Sequence, residues 1–264
     1  MNSSNSGSTA RLIATAATCA ALYAIVNILS SPVRTPWGVG EFRPGVVIPA
    51  FYAVVFGPVP AAIGAGLGSF IGDMVSLVAT GGSTPLIALV AGGVGNFLGF
   101  LVLGWVYQKM KGWKGFVAGT TSGLFVGNLW AAAGVVYLLQ LPAILILGFL
   151  LFWFGTMFPF VIILVPAIVR AMRPYASKLS LNYSYPELYE PTKKVLWGWT
   201  LAVSALVLAG LGVFLAFQSS LSSSFSIYWI SVLLAVSAVS VIVVGVFIPT
   251  TKKQETTPVV SSGN

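Results

Sequence analysis

The sequence predicts an all-α integral membrane protein with several transmembrane helices. Hydrophobic residues make up 57% of the 264 residues and charged residues only 7%, whereas soluble domains contain roughly 25% charged residues. The mean hydropathy is +0.96. The apolar residues also form runs of about 20 residues, the length with which an α-helix crosses a hydrocarbon core of about 30 Å.

The residue types that are missing exclude several classes of function. The chain has no histidine and a single cysteine, Cys19, which lies in an apolar run. The sequence therefore allows no intrachain disulfide and no serine or cysteine nucleophile activated by histidine. It also lacks histidine as a ligand for zinc, the residue that most often binds this metal. The phosphate loop G-x-x-x-x-G-K-[ST] does not occur, so ATP hydrolysis of that familiar kind would need another subunit. We expect no cofactor, no metal site and no catalytic residue, and hence a protein that is not an enzyme.

The apolar runs define the predicted helices in chain order. A polar segment, residues 1–9, precedes them and is predicted to be a disordered tail. The run 45–57 is too short to cross upright at ~1.5 Å per residue, although it can cross by borrowing from the segment before it, by thinning the bilayer or by packing wholly against other helices. Full-length spans are predicted at 10–30, 58–79, 86–107, 114–138, 144–171, 195–217 and 227–248.

Basic residues distinguish the two ends of these helices. Two predicted helices separate each basic cluster from the next, so all clusters lie on one side, which the positive-inside rule assigns to the cytoplasm. The same rule accounts for the net charge of +8 without a nucleic-acid partner. The clusters are Lys109, Lys111 and Lys114; Arg170, Arg173, Lys178, Lys193 and Lys194; and Lys252 and Lys253.

The N-terminal part of the chain has two alternative topologies. If the run 45–57 crosses, the chain has eight spans, its N-terminus is cytoplasmic and the loop 31–44 faces outward. If it does not cross, the chain has seven spans and that loop is cytoplasmic. The first topology leaves two basic residues outside and the second leaves one, so charge does not choose between them.

Polar segments divide the chain into regions. We predict a membrane domain at 10–173 and a C-terminal pair of transmembrane helices at 195–248. The residues 174–194 between them are predicted to be a cytoplasmic linker, and the residues 249–264 a cytoplasmic tail.

Three polar residues lie inside predicted spans at a similar depth. Asp73 is the only acid within these spans, where a carboxylate is costly unless it is protonated or paired. It lies about 15 residues into its helix, which is about 22 Å from the cytoplasmic end. Asn96 and Asn128 on the next two helices fall in the same middle-to-outer zone. This arrangement favours a binding site for a small ligand, although asparagines also join helices by hydrogen bonds.

Further ligand contacts are predicted beside this zone. Trp130 follows Asn128 by two residues and can flank the same cavity, where its ring could stack on a planar ligand. The loop 31–44 is rich in glycine and proline, and it would close over a ligand if it faces outward. The predicted substrate-binding residues are Asp73, Asn96, Asn128, Trp130, Glu41 and Arg43.

Small residues repeat every four positions on three of the predicted helices. This spacing keeps them on one helix face and makes a smooth strip for close helix contact. The strip on the first helix is predicted to be a partner surface, because that helix is at the edge of the bundle in sequence. The strips are Ala16, Ala20 and Ala24; Gly64, Gly68 and Gly72; and Gly119, Gly123 and Gly127.

Several of these features together resemble the S components of energy-coupling factor (ECF) transporters, which are substrate-binding membrane subunits. The similar features are a loop ending Glu41-Phe42-Arg43-Pro44-Gly45, a short helix, and Phe56-Gly57-Pro58 leading into the glycine-rich run that ends at Asp73. The alanine-rich first helix is similar to that family's coupling helix, whose A-x-x-x-A strip contacts the transmembrane T component. Residues 10–173 would correspond to the six helices of the family, and the pair 195–248 is an extra feature.

The resemblance implies a function and a set of partners. It implies a subunit of an ATP-driven importer of a vitamin-like or other small solute, with a T component and two ATPase subunits as partners. It also implies eight spans in the plasma membrane, both termini cytoplasmic, and a site on the outer side covered by the loop 31–44. Two alternatives remain at this point. One is a stand-alone secondary transporter in which Asp73 binds a proton or cation, and the other is a membrane scaffold without a solute site.

Overall fold

The computed structural model describes residues 3–33, 41–80, 84–179, 185–188 and 193–219. All regular elements in these ranges are helices. Five of the described helices are long and apolar enough to cross a membrane, so the chain is an all-α, multi-pass membrane protein. These five are Ser8–Ser30, Pro58–Val78, Pro85–Met110, Gly112–Leu138 and Leu145–Leu179.

The described elements follow one another with short connections. A 3-10 turn, Pro44–Val46, precedes the second helix, a 3-10 helix, Arg173–Leu179, continues the sixth, and a π-helical segment, Ala88–Val94, lies within the fourth. The helices are α1 (Ser3–Ser30), α2 (Val47–Val55), α3 (Pro58–Thr80), α4 (Pro85–Met110), α5 (Gly112–Leu138), α6 (Leu145–Met172) and α7 (Lys193–Ser219).

Some boundaries differ from the predicted ones. The first helix begins at Ser3, whereas the sequence predicted a disordered tail over residues 1–9. Each residue added to an existing helix gains one hydrogen bond, and polar residues beside an apolar helix can therefore extend it. The predicted linker contains a 3-10 helix, and its Tyr185 hydroxyl donates a hydrogen bond of 2.9 Å to the Val169 carbonyl. The predicted span 227–248 and the tail 249–264 lie outside the described residues.

The helices α1 and α3 pack in parallel through two strips of small residues. A Cβ atom built on Gly68 would lie 2.6 Å from the Ala20 carbonyl oxygen, so only a glycine fits there. Gly64 faces Ala16 in the same way, and Gly72 faces Ala24. These alanines are buried. The strip that was predicted to be a partner surface therefore faces α3 in this structure.

The short helix α2 carries the chain back from the C-terminus of α1 to the N-terminus of α3. Its N-terminal side lies beside the last turn of α1, since Gly45 contacts Val26. At its other end Gly57 lies next to Gln108, near the end of α4. The backbone of Gly57 has a φ of +101°, which L side chains rarely adopt, and this conformation turns the chain from α2 into α3. The run 45–57 thus passes from the level of the α1 C-terminus to the opposite end of the bundle.

The remaining helices pack in antiparallel pairs. Gly99 of α4 lies against Gly123 of α5, and Gly148 of α6 lies against Gly210 of α7. The short segment 139–144 joins α5 to α6. As a result, the basic residues of the first two clusters lie at one end of the bundle, which we call the basic end. Lys252 and Lys253 lie outside the described residues. The C-terminus of α3, the N-terminus of α4 and the connection 139–144 lie at the opposite end.

The return of the chain through α2 predicts the labelling pattern of single cysteines. In a Cys19→Ala background, Val33→Cys and Ala143→Cys should react with a membrane-impermeant maleimide on intact cells, because both positions are exposed at the end opposite the basic one. Lys114→Cys at the basic end should react only after permeabilisation. If Val33→Cys reacted only after permeabilisation, as Lys114→Cys should, this result would contradict the path of α2.

Candidate functional site

A cavity of about 200 Å³ extends from the end of the bundle opposite the basic one to about half its depth. Thr84 and Leu139 line it near that end, and Gly99 and Gly123 line it deeper in the bundle. Its walls come from α3, α4, α5, α6 and the segment 41–46. Since most of the lining is apolar or glycine, its few polar side chains determine what it can bind.

The short length of α2 explains why this cavity exists. With nine residues, α2 is about 14 Å long, which is half of a membrane crossing. Most of its residues are buried among the other helices, so it fills the bundle only on the side of the basic end. Val46, just before α2, lines the cavity. The segment before α2 therefore enters the bundle and contributes side chains to the cavity.

Arg43 from this segment forms a buried ion pair with Asp73 of α3. Its Nη2 donates a hydrogen bond of 2.6 Å to Asp73 Oδ1, and its Nη1 donates one of 2.7 Å to Ser69 Oγ. The side chains of Arg43 and Asp73 are 13% and 4% exposed. Ser69 lies one helical turn before Asp73, so a single guanidinium reaches both. The pair compensates the charge of a carboxylate that would otherwise be isolated inside the bundle.

Asn96 extends this network to α4 and α1. Its Nδ2 donates to Ser69 Oγ at 3.1 Å and to the Gly92 carbonyl at 2.8 Å. Its Oδ1 accepts a hydrogen bond of 2.9 Å from the Tyr23 hydroxyl. Asn96 lines the cavity, but its amide is already engaged with protein groups. Its main contribution is to fix the positions of Ser69 and α4.

Two cavity residues carry polar hydrogens without a partner among the described residues. They are Asn128 Nδ2 on α5 and Trp153 Nε1 on α6. Both residues are only 6% exposed. An unsatisfied buried donor costs about 1 to 3 kcal/mol, and a ligand with acceptor atoms would recover part of that cost.

The π-helical segment Ala88–Val94 shapes the wall beside Asp73. A Cβ atom on Gly92 would collide with Asp73 Oδ2, so the glycine makes room for the carboxylate. In this segment the Val90 carbonyl also accepts a hydrogen bond of 2.9 Å from Trp130 Nε1. Such π-helical segments are frequent at functional sites.

The structure brings five of the six predicted substrate-binding residues to one cavity and leaves one outside. The lining includes Glu41, Arg43, Asp73, Asn96 and Asn128. Trp130 was also predicted to flank the cavity, but it is 45% exposed and is not among the residues that line it. Residues two apart on a helix point to nearly opposite sides, and this places Trp130 away from Asn128.

Three contributors were missed by reasoning from the sequence. Ser69 precedes Asp73 by four residues, and this spacing is a signal that could have identified it. Trp153 was recognisable as a deep tryptophan, but its direction depends on how α6 is rotated. The hydroxyl of Tyr23 reaches Asn96 across 73 positions of sequence, and no local signal predicts that contact.

The described side chains suit non-covalent binding of a solute. Among the residues that the structure describes, no group of three or more acidic, histidine or cysteine side chains could hold a metal ion. The cavity offers a compensated ion pair, an amide, an indole and apolar walls, which together recognise shape and hydrogen-bonding pattern.

Comparisons with known proteins identify no relative of this chain. No protein family, no curated protein and no solved structure matches it.

Proposed function

We propose that the chain is the solute-binding membrane subunit of an ATP-driven importer of the energy-coupling factor type, with a vitamin-like or other small solute as its substrate. The observation that supports this proposal most is the convergence of polar side chains from the segment 41–46 and from α3, α4, α5 and α6 on one cavity. The cavity lies at the end of the bundle opposite the basic residues, and the positive-inside rule would place it on the outer side of the plasma membrane.

The proposal includes the membrane topology. Residues 10–173 would form the six-helix domain and 195–248 an additional helical pair, with both termini in the cytoplasm. The loop 31–44 would cover the cavity from outside. In support of this, the Phe42 amide donates a hydrogen bond of 2.9 Å to the Val33 carbonyl, which ties the two sides of the loop together. The residues 34–40 of the loop lie outside the described residues.

The contacts of Asp73 favour this function over a stand-alone secondary transporter. A carrier that binds a proton or cation at Asp73 needs a carboxylate that is free to receive it. Here Asp73 Oδ1 accepts a hydrogen bond from Arg43, which lies in the predicted lid. The ion pair therefore fits a lid contact better than an ion-coupling site. The cavity itself weighs against a scaffold without a solute site.

The proposed partners are a T component and two ATPase subunits, as the resemblance to S components implies. The sequence itself contains no G-x-x-x-x-G-K-[ST] motif with which to hydrolyse ATP. The alanine strip of α1 is occupied by α3, so the T component would contact a different face of the bundle.

Copurification tests the proposal. The tagged full chain, extracted from its native membranes, should bring down a T component and two ATPase subunits and should retain a small solute. The variant Asn128→Leu should lose the solute and keep the subunits, since Asn128 is buried in the cavity wall. The proposal fails if no ATPase copurifies and the reconstituted chain alone takes up a solute along an ion gradient.

A further inference from the structure

Two of the charged groups that line the cavity, Arg43 and Asp73, already contact each other. Both terminal nitrogens of Arg43 are engaged, one by Asp73 and one by Ser69. Glu41 also lines the cavity, so the lining residues that the structure describes include two carboxylates and one guanidinium. An anionic solute would therefore meet one more carboxylate than guanidinium among these residues, at a place where water screens little. This charge balance disfavours an anion.

Two neutral donors of the cavity are available to a ligand. Trp153 Nε1 can only donate a hydrogen bond, and it has no partner among the described residues. The amide of Asn128 lies on the neighbouring helix, and its unpartnered Nδ2 is a second donor. A solute that accepts hydrogen bonds from both would satisfy two donors that the protein leaves unpaired.

The size and walls of the cavity limit the solute further. A dry cavity of about 150 Å³ accommodates benzene, so about 200 Å³ accommodates a single ring with one or two small substituents. Glycines supply much of the wall where α4 and α5 meet, at Gly95, Gly99, Gly123 and Gly127. A wall without side chains is flat, and it suits a planar ring.

We propose that the solute is an uncharged, planar, single-ring compound that accepts hydrogen bonds from Asn128 and Trp153 through carbonyl oxygens or ring nitrogens. Pyridine carboxamides and pyrimidine diones belong to this chemical class. That this ligand is a transported solute rests on the proposed function. The binding chemistry follows from the cavity alone.

Matched probes test this class directly. Binding of nicotinamide, nicotinate, uracil, orotate and toluene to the purified full chain in lipid nanodiscs would be measured by calorimetry and by ligand-observed NMR. At least one neutral probe should bind on the order of tenfold more tightly than its carboxylate counterpart, because the carboxylate would face two acidic side chains and only one guanidinium among the described lining residues. Toluene, which has no acceptor, should bind more weakly than the neutral probe. Equal or tighter binding of the carboxylates, or no binding of any ring at millimolar concentration, would overturn the proposal.

Two pairs of variants separate ligand contact from general packing. Trp153→Phe and Asn128→Leu should each weaken binding of the neutral probe on the order of tenfold. Their controls are Trp199→Phe and Thr120→Val, which remove equally buried and unpartnered polar groups outside the cavity. The controls should leave affinity unchanged, and equal losses in all four variants would overturn the assignment. Copurification of the ATPase subunits is a separate readout, so loss of this inference and loss of the proposed function are distinguishable.

Discussion

Replacing Arg43 with methionine is expected to lower the melting temperature of the purified protein by roughly 6 to 20 °C. The substitution leaves the Asp73 carboxylate, which is 4% exposed, without its charged partner. Removing one member of a buried ion pair costs about 3 to 5 kcal/mol. For a chain of this size, each kcal/mol corresponds to about 2 to 4 °C. Thermal unfolding followed by tryptophan fluorescence measures the change.

A second substitution shows whether the loss comes from the unpaired charge. Arg43→Met combined with Asp73→Asn removes both charges, and it should recover most of the lost stability. Arg173→Met is the matched control, because it breaks an ion pair of 3.1 Å with Glu187 whose side chains are 59% and 56% exposed. An exposed pair contributes about 0 to 1 kcal/mol. Similar losses for Arg43→Met and Arg173→Met would contradict a buried pair.

The depth of the site residues was predictable because an α-helix has a constant rise per residue. Once the ends of a span are known, the position in sequence gives the height in the bundle. This is why Asp73, Asn96 and Asn128 could be expected in one zone, and the structure places all three in the cavity lining. Their roles as ligand contacts stay predictions.

The rotation of each helix about its axis was the part that the sequence could not supply. Trp130 and Asn128 have nearly the same height but point to different sides, and only the packing of α5 decides which side faces the cavity. The same holds for Trp153 on α6. Apolar residues surround these helices on all faces, since lipid is as apolar as the protein interior, so hydrophobicity does not mark the inner face.

The alanine strip shows the same limit for partners. Its spacing correctly indicates a face made for close contact, but the spacing does not say which neighbour covers that face. A complementary strip, Gly64, Gly68 and Gly72, occurs on α3 with the same period, and the structure pairs the two. The π-helical segment Ala88–Val94 lacks even this kind of signal.

Substituting Gly123 with alanine is expected to lower both the folded yield and the melting temperature. A Cβ atom at this position would lie 2.5 Å from the Gly99 carbonyl oxygen and 2.7 Å from Leu103 Cβ. Backbone atoms of α4 cannot move aside as a flexible side chain can, so the two helices must separate. Overpacking of this kind typically costs about 1 to 3 kcal/mol. Because Gly123 also lines the cavity, the separation should weaken solute retention as well.

Gly148→Ala is the matched control for this prediction. It also adds one methyl group within a membrane helix, but its Cβ would lie 3.4 Å from the nearest atom, a side-chain carbon of Val213. That distance is an ordinary contact, and alanine favours a helix over glycine by about 1 kcal/mol. The variant should therefore match or exceed the wild-type melting temperature. If Gly123→Ala is as stable as the wild-type protein, α4 and α5 cannot be as close as the glycine contacts require. The flat cavity wall inferred from those contacts would then have no support.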